Sequence, residues 1–470
     1  MNARAAAPWA TAALGFSLAV WLFAPGWLSW DGAYQWKQAR TGAFDSTHPP
    51  LLTLLWHWIE PHWSGPGSLL VLQQGMIWAG LAGIAASLNV HWGLRALLVL
   101  AIGLWPPLLL LSAHIFKDIP MLGAFALAVW MLCLDLRHPS GRLRIAALLL
   151  LLLACACRHN AVTGALPLLT WIVWRSLTQL PRVATRRPPP GALARGPFSA
   201  GPFSPGLIAV PVASVMALGL HALAQLPNLG EGVKNPQAVW SVVALWDMAA
   251  VSLVENEMHI PKPFQLPGAR VEAMRPHFNE WTNTTLFLSG QLSHTLWQDF
   301  PDEDVLELRQ AWFRLPMEHP GPYFAHRLRL AALLFGFDNA ALPDHQVLMM
   351  GFVAMEGNPS IDQVPNVWRQ AWIDWGMRNT DGPFFMGWLY LLLAAGTAIA
   401  AVPGCLRDQP HAALAAAVAA SSLAYALPLV FVSGSAEFRY LAWPIQAALL
   451  APALLWVGHR ATESPVVSRG

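Results

Sequence analysis

Apolar runs of the length a membrane-crossing helix needs, about 20 residues, recur along this chain. They fall at 8–28, 66–88, 93–111, 119–136, 143–157, 161–178, 205–225, 383–404, 411–432 and 441–458. Inside a bilayer every backbone N–H and C=O must be paired within the segment, so each run is constrained to be a helix. Of the 470 residues only 11% are charged, against about 25% in soluble domains. The expectation is an all-α membrane protein with about ten transmembrane helices. The first run lacks a small-residue cleavage site and reads as a retained span rather than a signal peptide. No basic block interleaved with aromatics occurs, which sets nucleic-acid binding aside. Cys133, Cys155, Cys157 and Cys405 all lie in apolar runs and read as buried hydrophobes rather than a disulfide or metal framework.

Arginines in short loops set the expected orientation. Arg4, Arg95, Arg137, Arg142, Arg144, Arg182, Arg186, Arg187, Arg195, Arg407, Arg460 and Arg469 all fall on one side of a ten-span chain. That side is cytoplasmic by the positive-inside rule, and both termini share it. Three parts follow. Residues 1–225 form an N-terminal transmembrane module of about seven spans, with an outer loop 29–65 and a Pro/Gly-rich cytoplasmic linker 179–204. Residues 226–382, rich in aromatics and with amphipathic stretches at 303–315 and 320–334, read as a mainly helical outer domain. Residues 383–470 form a C-terminal module of about three spans.

The polar chemistry collects at span ends on the outer side. Asp31 follows the first span, where an ionised carboxylate is costly without a partner or a wet cavity; it reads as a general base or metal ligand, against a solvated helix end. Tyr34 follows it. Asp45 sits in a Ser/Thr/His/Pro turn, as a site residue or as a turn former, and His48 precedes two prolines that hold it extended. Lys117-Asp118, Arg158-His159-Asn160 and Glu437-Phe438-Arg439-Tyr440 add cations able to pair with phosphate, against interfacial snorkelling or structural ion pairs. Asp247 reads as a helix cap or a pocket residue. His294, His319 and His326 lack metal-ligand spacing and read as ordinary histidines.

An Asp just after the first span, a Tyr three residues on, and His48-Pro49-Pro50-Leu51 in the same loop resemble the GT-C superfamily of integral-membrane glycosyltransferases, which use polyprenyl-phosphate sugars and include protein O-mannosyltransferases and lipid A aminoarabinose transferases. Lys117-Asp118-Ile119-Pro120 resembles that family's second acidic motif. Arg158-His159-Asn160 resembles a polar turn of its bacterial members, and Arg439-Tyr440 with Pro444 resembles the entry to a late span. Two departures stand out. The family's Asp-Glu pair is here Asp31-Gly32, and its Lys before Pro-Pro-Leu is His48.

The resemblance implies transfer of a sugar from an undecaprenyl-phosphate donor to a glycan, lipid or protein acceptor at the periplasmic face of a bacterial inner membrane. Asp31 and Asp118 would be the catalytic residues, Asp31 as base with Asp45 as its rival. Tyr34, Asp45, His48, Lys117, Arg158, His159, Asn160, Glu437, Arg439 and Tyr440 would bind substrate. A divalent cation on Asp31 or Asp118 is left open. The rival class is a transporter or lipid flippase, which would carry charges near the midplane and inverted repeats; a third reading is an inert scaffold.

Overall fold

The structure is a computed structural model that describes residues 3–179, 205–288, 290, 292–296 and 298–463. The linker expected at 179–204, with Arg182, Arg186, Arg187 and Arg195, lies outside the described residues apart from Gln179, as does Arg469. The described chain is all-helical, with isolated β-bridges in place of strands.

The first half builds helices α1 (Ala3–Phe23), α2 (Trp30–Thr41), α3 (Pro50–Ile59), α4 (Gly67–Ser87), α5 (Trp92–Gly103), α6 (Pro106–Leu111), α7 (Asp118–Arg137), α8 (Gly141–Cys157), α9 (Ala161–Gln179) and α10 (Pro205–Ala224). Later come α11 (Ser241–Glu255) and the helices Asp302–Glu318, Pro320–Leu334, Val367–Met377, Gly387–Leu406, Pro410–Ala426 and Ala442–Glu463. Seven helices among the described residues are long and apolar enough to cross a membrane: Arg4–Phe23, Gly67–Ser87, Asp118–Arg137, Gly206–Leu229, Gly387–Leu406, Pro410–Val432 and Phe438–Val457. The chain therefore reads as a multi-pass membrane protein.

Seven of the ten expected runs meet that length and apolarity, and the other three form helices that are broken, shorter or more polar. The run 93–111 is two helices, because Pro106 has no N–H to continue α5 and pushes Trp105 out of the helical region; it opens α6 instead. The run 143–157 forms α8, only 17 residues long. The run 161–178 forms α9, which carries Thr163, Thr170, Arg175 and Ser176. Three of the four cysteines are buried, Cys405 is partly so, and all are free.

In the bundle α4, α7 and α8 pack in series, and helix Pro410–Ala426 packs between α9 and the last helix. Small residues permit the close approach, as expected where lipid supplies no hydrophobic drive between helices. A Cβ on Gly80 of α4 would lie 2.7 Å from the Ala126 methyl of α7.

The connections at one end of the bundle are knitted together by main-chain hydrogen bonds. Trp27 N–H donates to Ala113 O and Ile115 N–H to Trp27 O, both at 2.9 Å. Leu28 pairs with the 351–353 segment, and Phe44 and Ser46 pair with Lys234. Two buried amides on α4 brace the same region. Gln73 Nε2 donates to the Ser112 and His114 carbonyls at 2.9 and 2.8 Å, and Gln74 Nε2 to Ser112 O at 3.0 Å.

The 226–382 segment contributes α11 and the pair Asp302–Glu318 and Pro320–Leu334, where the sequence has its amphipathic stretches. Trp240 stacks on Trp312 at 5.7 Å. At its centre Asp247 and Arg327 form a sealed ion pair at 2.5 Å, which Trp312 Nε1 joins at 2.8 Å. This segment is tied to the 433–437 loop: Arg327 Nη1 donates to Ser433 O at 2.8 Å and Ala436 N–H to Trp281 O at 2.8 Å.

Candidate functional site

The clusters expected from sequence meet at the knitted end. Asp31 lies in the first turn of α2, where the helix dipole favours an anion; Ser29 caps that helix and Gly42, at φ +70°, ends it. Asp31 Oδ2 accepts from Arg439 Nη2 at 2.8 Å. The other Asp31 oxygen faces His48 Nε2 at 3.7 Å, too far for a hydrogen bond. Lys117 Nζ donates to His48 Nδ1 at 2.6 Å. An ammonium facing Nδ1 places the ring proton on Nε2, aimed at Asp31. Three segments distant in sequence thus form one chain of contacts.

A second chain joins it through Tyr440. Arg158 pairs with Asp118 and donates Nε–H to Asn160 Oδ1 at 2.9 Å. Its guanidinium lies 4.3 Å from the Tyr440 ring centre, and Arg439 lies 5.5 Å from the same ring. Arg439 also pairs with Glu437 and sits 4.4 Å over Phe116. Ser435 Oγ reaches Glu437 Oε1 at 2.7 Å and Tyr440 Oη at 3.0 Å.

Two of the sequence candidates play local roles. Asp45 accepts from Tyr34 and from Thr47 N–H at 3.0 Å, which is the Asx-turn alternative. His159 turns to Gln225 Nε2 at 3.0 Å and to the His221 ring rather than into the Tyr440 network. Three contributors carried no signal as separate motifs. Phe116 and Ser435 were passed over beside Lys117 and Glu437, and Trp30 stacks on Tyr34 at 5.0 Å.

The glycine beside Asp31 has a steric reason. A Cβ on Gly32 would lie 2.6 Å from the Ile115 carbonyl oxygen, because the 27–28 and 113–115 segments are hydrogen-bonded alongside. No glutamate fits there without unzipping the segment that presents Phe116 and Lys117 to Asp31.

Burial and charge set the protonation states. Burial works to raise the Asp31 carboxyl, but Arg439 and then Lys117 overcome it and hold it well below the usual carboxylate range. Burial, and next the Lys117 charge, push His48 down to about 3. Burial lowers Lys117 to about 8, with Asp31 opposing and Arg158 and Arg439 assisting. Near neutrality the site therefore holds an ionised Asp31, a neutral His48 and a charged Lys117.

These residues do not suit a divalent cation. Each of Asp31, Asp118 and Glu437 is already committed to an arginine, and Arg158, Arg439 and Lys117 balance the three carboxylates. A cation ligated here would displace an arginine and face the other positive charges. An anion fits better: Arg439 Nη1 is buried without a hydrogen-bond acceptor, and Lys117 and Arg158 belong to the same network. Access distinguishes the two aspartates. The Asp31 side chain is 21% exposed and Asp118 is 0% exposed, so Asp31 can touch a substrate while Asp118 positions Arg158.

No protein-family model, curated protein or solved structure matches the chain.

Proposed function

We propose that this chain is a membrane glycosyltransferase of the GT-C type, moving a sugar from a polyprenyl-phosphate carrier to a glycan, lipid or protein acceptor. The observation that carries the proposal is the convergence of Asp31, His48, Lys117, Arg158 and Arg439, from four separate chain segments, into one partly exposed network at the ends of apolar helices. A lipid-linked phosphate brings its charge to just such a boundary between apolar helices and water. The reading puts this end in the periplasm of a bacterial inner membrane and both termini in the cytoplasm, and the arginines of the short loops support it.

The reaction is a single inverting displacement. The acceptor oxygen bonds to the anomeric carbon, the bond from that carbon to the phosphate oxygen breaks, and its electron pair leaves with the phosphate. Arg439, Lys117 and Arg158 stabilise that leaving charge. Asp31 accepts the acceptor's proton. In the free protein Arg439 makes Asp31 a weak base. A phosphate drawn to Arg439 offsets that guanidinium's field at Asp31 and raises its basicity, so donor binding prepares the base.

The test is sugar transfer by purified protein in detergent, with labelled undecaprenyl-phosphate sugars and a membrane glycolipid extract as acceptor. Labelled acceptor formed in proportion to protein supports the proposal. Saturable donor binding without transfer, across several sugars and acceptors, sinks it and favours a lipid-linked sugar transporter.

A further inference from the structure

We propose that Glu255, His259 and His319 bind a divalent transition-metal ion such as Zn2+ at the surface of the 226–382 segment, apart from the Asp31 network. Spacing along the sequence hides this set, because His319 stands 60 residues beyond His259; the fold brings them together. Glu255 is the last residue of α11. Asn256 leaves that helix in the left-handed region, at φ +55°, with its N–H capping Ser252 O. Ser252 Oγ then accepts from His259 N–H at 3.0 Å and donates to Met248 O at 2.7 Å, which fixes the turn that returns His259 over Glu255. His319 occupies the junction of helices Asp302–Glu318 and Pro320–Leu334, its N–H bonded to Leu315 O at 2.9 Å. Glu255 and His319 are thus held at helix ends, and His259 in the turn that Ser252 fixes.

His259 Nε2 lies 2.8 Å and His319 Nδ1 2.9 Å from Glu255 Oε2. The three ligand atoms all fall within 4.8 Å of one another. An ion with bonds of about 2.0–2.2 Å holds neighbouring donors roughly 3 Å apart, so little movement is needed to admit one. Two imidazoles and a carboxylate select zinc, cobalt, nickel or copper over calcium or magnesium, which prefer all-oxygen sites. Three protein ligands leave a coordination position open. The bound ion would staple α11 to the junction of the two following helices. The competing account is a carboxylate shared by two imidazole donors with no ion at all.

The experiment uses tag-free, full-length protein in detergent, stripped with EDTA, then titrated with Co2+ by visible absorption and with Zn2+ by calorimetry. Wild type is expected to saturate at one equivalent, with cobalt d–d bands and a raised thermal midpoint. His259→Ala, His319→Ala and Glu255→Gln are each expected to weaken binding by about 10-fold or more. Because Glu255 is exposed and both histidines partly so, the metal-free variants should melt as the metal-free wild type does, which separates lost ligation from lost fold. No saturable binding by wild type, or identical titrations of wild type and all three variants, overturns the proposal.

Discussion

Helix α7 buries an aspartate at each end, and the two ends are built differently. At its last turns Asp135 faces Arg144 Nε at 3.4 Å and Arg175 Nε at 3.5 Å, and accepts Ser140 N–H at 2.8 Å. Arg144 also gives from Nη1 to Ser176 Oγ and from Nη2 to Gln179 Oε1, both at 2.8 Å. These bonds join α7, α8 and α9 and go no further. At its first turn Asp118 holds Arg158, and from there contacts run on through Tyr440 and Arg439 to Asp31, His48 and Lys117. One cluster is a local clamp between three helices. The other is an open chain that ends in a partly exposed carboxylate and an arginine with an unused donor. Buried charge alone therefore does not mark a functional site in a membrane bundle; its continuation to an accessible edge does.

Substitutions sharpen this contrast. Arg439→Lys keeps a positive charge beside Asp31 but loses the planar fork that can hold Asp31 and a phosphate together. Transfer should fall by about 10^2–10^3-fold, the range for removing one preorganised donor, while the detergent melting curve stays close to wild type. A variant that transfers normally would remove Arg439 from phosphate binding. Asp135→Asn leaves Arg144 and Arg175 facing a neutral group. It should cost about 3 kcal/mol of stability, the low end for breaking a buried pair, because both arginines are partly exposed; chemical denaturation reads this. The turnover per folded molecule should not change, and a fall in turnover would break the contrast.

The smallest effect is in pH. The Lys117 pKa is depressed to about 8, so its ammonium is present at neutrality and is lost as pH rises through 8, while an unfolded chain keeps it to about 10.4. For stability the sign is opposite to that for transfer. Burial of the charge opposes folding below pH 8, and that penalty is relieved as the group deprotonates. Transfer, which uses the charge, should decline about tenfold per pH unit above 8. Lys117→Arg should move that alkaline limb upward, and an unmoved limb would assign it to another group. His48, held at about 3, adds no limb near neutrality.

Much of the helical plan was legible, because apolar length and Pro positions act locally. So was the membership of the Asp31 cluster, since charges at the ends of apolar runs are conspicuous. What was hidden depends on pairing across the chain. Arg144 counted as one of several orienting cations, and nothing local to it points to Asp135 or to Arg175 on α9. The dipeptide Asp31-Gly32 reads as a lost acid until Ile115 O is found against Gly32. His319 reads as ordinary until the end of α11 lies beside it. Three of the ten expected spans are less plain than the other seven, where one run holds a Pro break and two others are short or polar.

The most direct measurement sets Asp31→Asn beside Asp135→Asn, with transfer rate and unfolding free energy recorded for both. The account predicts a crossing: Asp31→Asn loses about 10^2–10^4-fold in rate with stability little changed, because Glu437 still pairs with Arg439, while Asp135→Asn loses stability and keeps its rate. Rate and stability falling in parallel in both variants, or Asp31→Asn transferring at the wild-type rate, would contradict it.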